Sequence, residues 1–432
     1  MKKSKVICFS LIVIIWVACT TDRPHNRESD REMTELLETK DYFRLETALN
    51  NIGLQLSETK ELYFRAHLQN VFNQTEHSLQ SIDLLFSKHK QSLNDSLIAD
   101  LLSVKSENHF KQFEYKQAAE TLLMVLDSYS HAVDSADLED MKRTYPVFEM
   151  LQNAPPQKIH HTTDVTIPVT KNEFDHLTMQ VTCKGVSEDF IFDTGANLST
   201  IVESVAERMG IKPFEGVVQV GSSTGEYLAM NVGIADSLWL SGLLFENIAF
   251  LILPDEQLSF PEVNYYIHGI IGFPLMYQMK EIRIDQTGNF FVPHTPVKKE
   301  LHNLFLNGLF PVVQLVSGQD TLLFNMDTGA NTSEFSKKYF DTHQERIMET
   351  GVQRTVRRGG GGGIIETEIY ELTEVPIKIG NFQMTLSTIN VETHEYSFNE
   401  DFDGNLGQDV LMHFEEMILN FESMYLDFSD KK

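Results

Sequence analysis

The chain has 432 residues, room for two to four domains at roughly 100–200 residues each. Its 62 Asp and Glu outweigh its 35 Lys and Arg, leaving a formal net charge of −27, and so acidic a surface repels phosphate backbones and argues against a nucleic-acid partner. With 42% hydrophobic residues and three cysteines, the composition fits a folded body and excludes collagen, a coiled-coil rod, a zinc-ribbon array, a disulfide scaffold and a polytopic membrane protein.

Lys2, Lys3 and Lys5 precede a largely apolar run, Val6 to Ala18. The run is too short to span a bilayer as a helix, so residues 1–18 read as a signal peptide. It ends Trp16-Val17-Ala18-Cys19, which resembles the lipobox of bacterial lipoproteins. The resemblance implies that Cys19 takes lipid and anchors the chain to a membrane of the bacterial cell envelope, facing the periplasm or the surface. Cys183 is then the only other cysteine of the mature chain, and no internal disulfide is expected. Residues 19–32 are polar and charged, as suits a flexible tether.

Residues 33–152 read as a helical domain. Phe64, Leu68, Val71 and Phe72 share one helical face, as do Tyr115, Ala118, Leu122 and Leu126. The stretch Phe113 to Glu120 resembles the inter-helix turn of a tetratricopeptide repeat, with the small residue at Ala118 that lets helices approach. No clean 34-residue period accompanies it, so true repeats and a plain domain of four to six antiparallel helices both remain open. Either is an interaction or spacer module, open to a protein partner. Asn153-Ala154-Pro155-Pro156 ends the helical pattern.

Beyond it glycine becomes frequent, and short Val/Ile/Phe/Thr runs alternate with turn signals, which predicts an all-β part. This part contains itself twice. Phe190-Ile191-Phe192-Asp193-Thr194-Gly195-Ala196-Asn197-Leu198-Ser199 is matched by Phe324-Asn325-Met326-Asp327-Thr328-Gly329-Ala330-Asn331-Thr332-Ser333. His268-Gly269-Ile270-Ile271-Gly272 is matched by Asp403-Gly404-Asn405-Leu406-Gly407, at nearly equal separations (272 − 193 = 79; 407 − 327 = 80). Each glycine is followed by a short helical patch and another strand. Internal duplication is the economical reading, with lobe 1 at 160–296 and lobe 2 at 300–430.

An Asp-Thr-Gly-Ala loop after an apolar strand, with an apolar-Gly motif about eighty residues on, resembles the retropepsin-like lobe of aspartic proteases. Two such lobes in one chain are similar to the pepsin arrangement. The fold class expected is therefore multidomain, an α-helical domain followed by an all-β, two-lobed acid-protease barrel. The resemblance implies an aspartic endopeptidase acting on a peptide or protein substrate, with Asp193 and Asp327 catalytic and no metal or cofactor. Two adjacent carboxyls share one proton, so one takes a proton from water while the other gives one to the scissile carbonyl oxygen. By the family pattern Thr194 and Thr328 bond across the lobes, Gly195 and Gly329 let the backbone approach the opposite carboxylate, and Gly272 and Gly407 close the loops that pack beneath. Asn405 breaks the apolar pattern there. Ala196 and Ala330 bring no hydroxyl to the aspartates, which implies activity at mildly acidic pH. The alternative is a catalytically silent peptide-binding module of the same fold.

A flap hairpin is expected from each lobe. Gly216 to Val232 fits the first, with Ser223, Gly225 and Tyr227 near its tip, and the glycine run around Gly361 the second. His160-His161 is not read as a metal pair, since neighbours on a strand face opposite ways. Cys183 is read as a core residue. Gly221-Ser222-Ser223-Thr224-Gly225 spells a hydrolase elbow, but strand-like sequence follows where a helix is needed.

Overall fold

The structure, a computed structural model, describes residues 27–52, 56–222, 225, 227–287, 289–360, 363–394 and 401–429. The signal peptide, Cys19, Ser223 and Gly361 lie outside the described residues.

The helical part, among the described residues, has seven helices where four to six were expected: α1 (Arg27–Glu38), α2 (Tyr42–Ile52), α3 (Glu58–Val71), α4 (Thr75–Lys88), α5 (Asp95–Lys111), α6 (Tyr115–Met124) and α7 (Ser135–Leu151). Helix α1 reaches back into the stretch read as tether. Glu28 and Asp30 favour its N-terminal turn, and Ser29 and Met33 are buried against the next helices. Side chains cap α3, α5 and α7: Ser57 accepts from Lys60 N, Asn94 from Leu97 N and Asp134 from Ala136 N.

Helices α1 to α6 form three helical hairpins that share one turn. A left-handed residue closes each: Lys40 (φ 56°), Asn73 (φ 60°) and Phe113 (φ 59°). Each makes the same pair of bonds, i to i−3 and then i+1 to i−4. These are Lys40 N to Leu37 O and Asp41 N to Leu36 O, Asn73 N to Asn70 O and Gln74 N to Gln69 O, Phe113 N to Phe110 O and Glu114 N to His109 O. The turns stand 33 and 40 residues apart (73 − 40; 113 − 73). Ala118 is fully buried, with Ser106 Oγ donating to its carbonyl at 2.7 Å.

The three turns face the β part. Lys40 Nζ binds Asp401 at 2.5 Å, Asn73 Nδ2 donates to Phe421 O at 2.6 Å, and the Phe113 ring lies 6.4 Å from Tyr277. Tyr277 OH also donates to Asn73 Oδ1 at 2.8 Å. Apolar side chains continue the junction. Tyr42, Leu45 and Phe64 pack with Phe305 and Phe402 of lobe 2, while Phe110, Phe148 and Leu151 join the main core with lobe 1. The helical part is thus built onto the β body through shared core, not hung beside it.

The two lobes repeat one topology. In lobe 1 the hairpin Leu177–Cys183/Val186–Phe192 is joined in parallel by Gly269–Ile271, which pairs antiparallel with Ser199–Val202. In lobe 2 the hairpin Phe310–Ser317/Asp320–Met326 is joined in parallel by Gly404–Leu406, which pairs antiparallel with Glu334–Phe335. A sheet shared by both lobes closes the body. Strand Glu281–Asp285 of lobe 1 runs against Glu416–Asn420 of lobe 2, from Glu281 opposite Asn420 to Asp285 opposite Glu416. Glu281 is fully buried there, and Arg283, Asn420 Nδ2 and the Val297 N–H satisfy it. No described helix is long and apolar enough to cross a membrane.

Candidate active site

The strand Val186–Phe192 delivers Asp193, and Asp320–Met326 delivers Asp327. Each aspartate donates its backbone N–H to the parallel strand beside it: Asp193 N to Ile271 O (3.1 Å) and Asp327 N to Leu406 O (3.0 Å). The two carboxyl groups meet over one point: a Cβ built on Gly195 would lie 2.9 Å from Asp327 Oδ1 and 3.1 Å from Asp193 Oδ1. Both residues are partly exposed.

Thr194 and Thr328 hold the loops together by four crossed bonds. Thr194 Oγ1 donates to Met326 O (2.8 Å) and accepts from Thr328 N (3.0 Å). Thr328 Oγ1 donates to Phe192 O (3.0 Å) and accepts from Thr194 N (3.0 Å). Both threonines are fully buried.

Gly195 N and Gly329 N each donate at 2.8 Å to the aspartate of their own loop. Each glycine also backs onto the other lobe's carboxylate. A Cβ at Gly195 would lie 2.9 Å from Asp327 Cγ, and one at Gly329 would lie 2.7 Å from Asp193 Cγ. Gly329→Ala must therefore push Asp193 aside. On the reading that this pair cleaves peptides, the variant should lower kcat/KM by about 100-fold with the protein still folded, as steady-state assays and thermal melting will show.

Gly272 and Gly407 sit under the loops at matching points. Gly272 N donates to Ser199 Oγ (3.1 Å) and Gly407 N to Ser333 Oγ (2.9 Å). Next to them Phe273 N donates to Ala196 O and Gln408 N to Ala330 O, both at 2.9 Å. The serines stand six residues past each aspartate, at the ends of the two matched segments.

Burial, and next the neighbouring Asp327 charge, push the Asp193 carboxyl well above the usual carboxylate range, against the N–H groups of Gly195 and Gly329 that favour the anion. Such a pair keeps one proton where isolated carboxylates would hold none. Asp327 has a further partner that the motif did not foretell. Asn405, expected to disturb packing under the loop, instead donates Nδ2–H to Asp327 Oδ2 at 3.0 Å, while Leu406 beside it fills the apolar place. The Ala330 N–H adds a donor to Oδ1 at 3.1 Å.

The turn between Lys171 and Leu177 reaches across to lobe 2. Asn331 Nδ2 donates to Phe174 O at 3.0 Å, and the Phe174 ring lies 4.1 Å from Tyr265. His176 Nδ1 bonds Tyr265 OH at 2.7 Å; burial holds this imidazole below its ordinary value against the raising pull of the Asp327 charge. Nothing in the motif pattern signalled these side chains, because a loop from the other lobe brings them in.

Hairpins stand where flaps were expected. In lobe 1 Val218–Gly221 pairs with the strand that begins at Tyr227, and Gly225 turns between them at φ +83°. Tyr227 is 45% exposed, and its ring stacks with the Arg143 guanidinium of α7 at 4.5 Å, so its recorded partner is a helix and not the dyad. In lobe 2 Val352–Gly360 pairs with Gly363–Ile379, so Gly359, Gly360 and Gly363 prolong the hairpin and are no slack linker. Cys183 is buried, with Sγ donating to Met209 O at 3.6 Å, and the His161 ring lies against His294. Among the described residues no group of three His, Cys, Asp or Glu side chains is arranged to hold a metal ion.

Residues 179–275 match the family described as aspartyl protease. The matched stretch runs from the hairpin before Asp193 to just past Gly272, the span that builds one half of the dyad. A crystal structure of a retropepsin-like aspartic protease from Rickettsia conorii is similar to 32% of this chain over 90% of its own length, with 16% identity and a TM-score of 0.22. No curated protein matches the chain in sequence. The β part places an aspartate loop beside a parallel strand pair twice, once in each lobe.

Proposed function

We propose that this chain is a single-chain aspartic endopeptidase, held at a bacterial envelope membrane by lipid on Cys19. The observation that carries the reading is the paired arrangement of Asp193 and Asp327, their carboxyls side by side and their loops fixed by the crossed threonines. One proton between two carboxyls supplies both a base for water and an acid for the carbonyl oxygen. Water adds to the carbonyl carbon, the carbonyl oxygen takes the dyad proton, and the dyad takes one from the water. Collapse breaks the C–N bond and returns a proton to the leaving nitrogen. The helical part, built onto both lobes, is the face offered to a protein partner or to the protein substrate.

A diverse peptide library incubated with the protein across pH 3–8 tests this. Cleavage with a mildly acidic optimum is expected, because Asp193 is held above the carboxylate range and neither loop offers the dyad a hydroxyl. An optimum below about pH 3 would contradict the account of the dyad. Folded protein that binds peptides but cuts none at any pH would instead be the silent peptide-binding module.

A further inference from the structure

The two halves of the dyad share the Asp-Thr-Gly-Ala-Asn loop, and among the side chains that differ around it one donates to an aspartate. The strand register aligns Ile270 of lobe 1 with Asn405 of lobe 2. Ile270 stands opposite Ile191 and Asn405 opposite Asn325, while Ile271 and Leu406 accept from the two aspartate amides at equivalent points. An isoleucine has nothing to donate. Asn405, only 4% exposed, donates Nδ2–H to Asp327 Oδ2 at 3.0 Å. With the Gly329 and Ala330 N–H groups on Oδ1, donors reach both oxygens of Asp327.

We propose that Asn405 is a positioning residue that makes Asp327 the ionised member of the pair and so leaves the shared proton on Asp193. A buried N–H aimed at a carboxyl oxygen favours the anion, and among the described residues no matching side chain does this for Asp193. The assignment rests on the aspartic-endopeptidase reading and gives its steps an order. Water's oxygen bonds to the carbonyl carbon as its proton passes to Asp327. Asp193 gives its proton to the carbonyl oxygen. When the C–N bond breaks, Asp327 hands its proton to the leaving nitrogen and Asp193 recovers one from the hydroxyl of the intermediate.

Other groups in this setting act on both carboxyls or lie farther off. Asp193 and Asp327 repel each other's charge. His176, from the lobe 1 turn, senses the Asp327 charge with Asp175 beside it. Glu334 and Asn325 flank Asn405 in register on its two neighbouring strands, and both are buried.

The test replaces Asn405 by Leu, similar in size and close in character to the lobe 1 residue, in the full-length chain. Two readouts are taken. One is the pH profile of kcat/KM on a cleaved peptide. The other is the infrared carboxylate band against pH, as a difference from Asp327→Asn, which needs no activity. The acidic limb and the Asp327 titration should both rise by about one pH unit, the scale of one lost hydrogen bond to a charged group. A merely structural role would lower activity at all pH values alike and leave both midpoints in place, and that result would overturn the proposal. A shift downward would overturn it too, since the amide would then be accepting from a protonated Asp327. A shifted titration in a protein that cuts no peptide would keep this assignment and sink the peptidase reading. Asn405→Ala carries the same expectation should leucine fail to fold.

Discussion

Asp193→Asn and Asp327→Asn, each alone, are expected to reduce peptide cleavage by at least about 10³-fold in kcat/KM while leaving the fold intact. General acid–base catalysis contributes roughly 10²–10⁴-fold, and here one proton shared by two groups does both jobs, so either loss removes both. Asn is close to Asp in shape and keeps an oxygen for the loop amides at 195 or 329. The second half of this expectation concerns stability. Burial and the Asp327 charge raise the Asp193 pKa in the folded protein, so the folded state binds that proton more tightly than the unfolded chain does. The stabilisation this gives is complete below the ordinary carboxylate pKa of about 4 and is lost as pH climbs through the raised value. Wild-type protein should therefore lose stability relative to Asp193→Asn between mildly acidic and neutral pH, a crossing that thermal melts at pH 4 and 7 will reveal. Retention of a tenth or more of the activity by either variant would show that the two aspartates do not work as one unit.

The dyad was legible in the sequence because its chemistry is compressed into a few consecutive residues and then repeated. Asp, Thr and Gly at 193–195 and 327–329 each meet the other lobe at close range, so no other side chains fit the spacing. What escaped are partners that act across long separations. Asn405 lies 78 residues from Asp327, and Ser199 lies 73 from Gly272. A donor and an acceptor that far apart leave no local pattern, and Asn405 even read as a flaw in an apolar one. The turn that the helical hairpins share escaped for a different reason. Their shared left-handed turn is filled by Lys40, Asn73 and Phe113, none of them the glycine that would announce it, at unequal spacing. The start of helix α1, ahead of Met33, was missed because its inward residues, such as Ser29, are too few to set a period among charged neighbours.

Thr194→Val should destabilise the protein by about 2–4 kcal/mol in denaturant titration, far more than a change of one buried hydroxyl for a methyl suggests. The hydroxyl has two partners, Thr328 N–H and Met326 C=O, and both are left buried and unpaired. Each such group costs about 1–3 kcal/mol. Thr194→Ser keeps the oxygen and loses only a methyl, so it should cost no more than about 1.5 kcal/mol. Thr328→Val should behave like Thr194→Val, because its bonds to Phe192 O and Thr194 N are the mirror set. The lobes will stay together in either variant, since the sheet from Glu281 to Asp285 against Glu416 to Asn420 is untouched. What loosens is the distance between the aspartates, so activity should fall alongside stability. The decisive measurement is the double-mutant cycle. Two threonines that hold one another's loops are coupled, and the double variant should cost less than the two single losses added, by at least about 1 kcal/mol. Strict additivity would mean that each threonine serves only its own lobe, and the crossed bonds would then not be what keeps Asp193 and Asp327 within reach of one water.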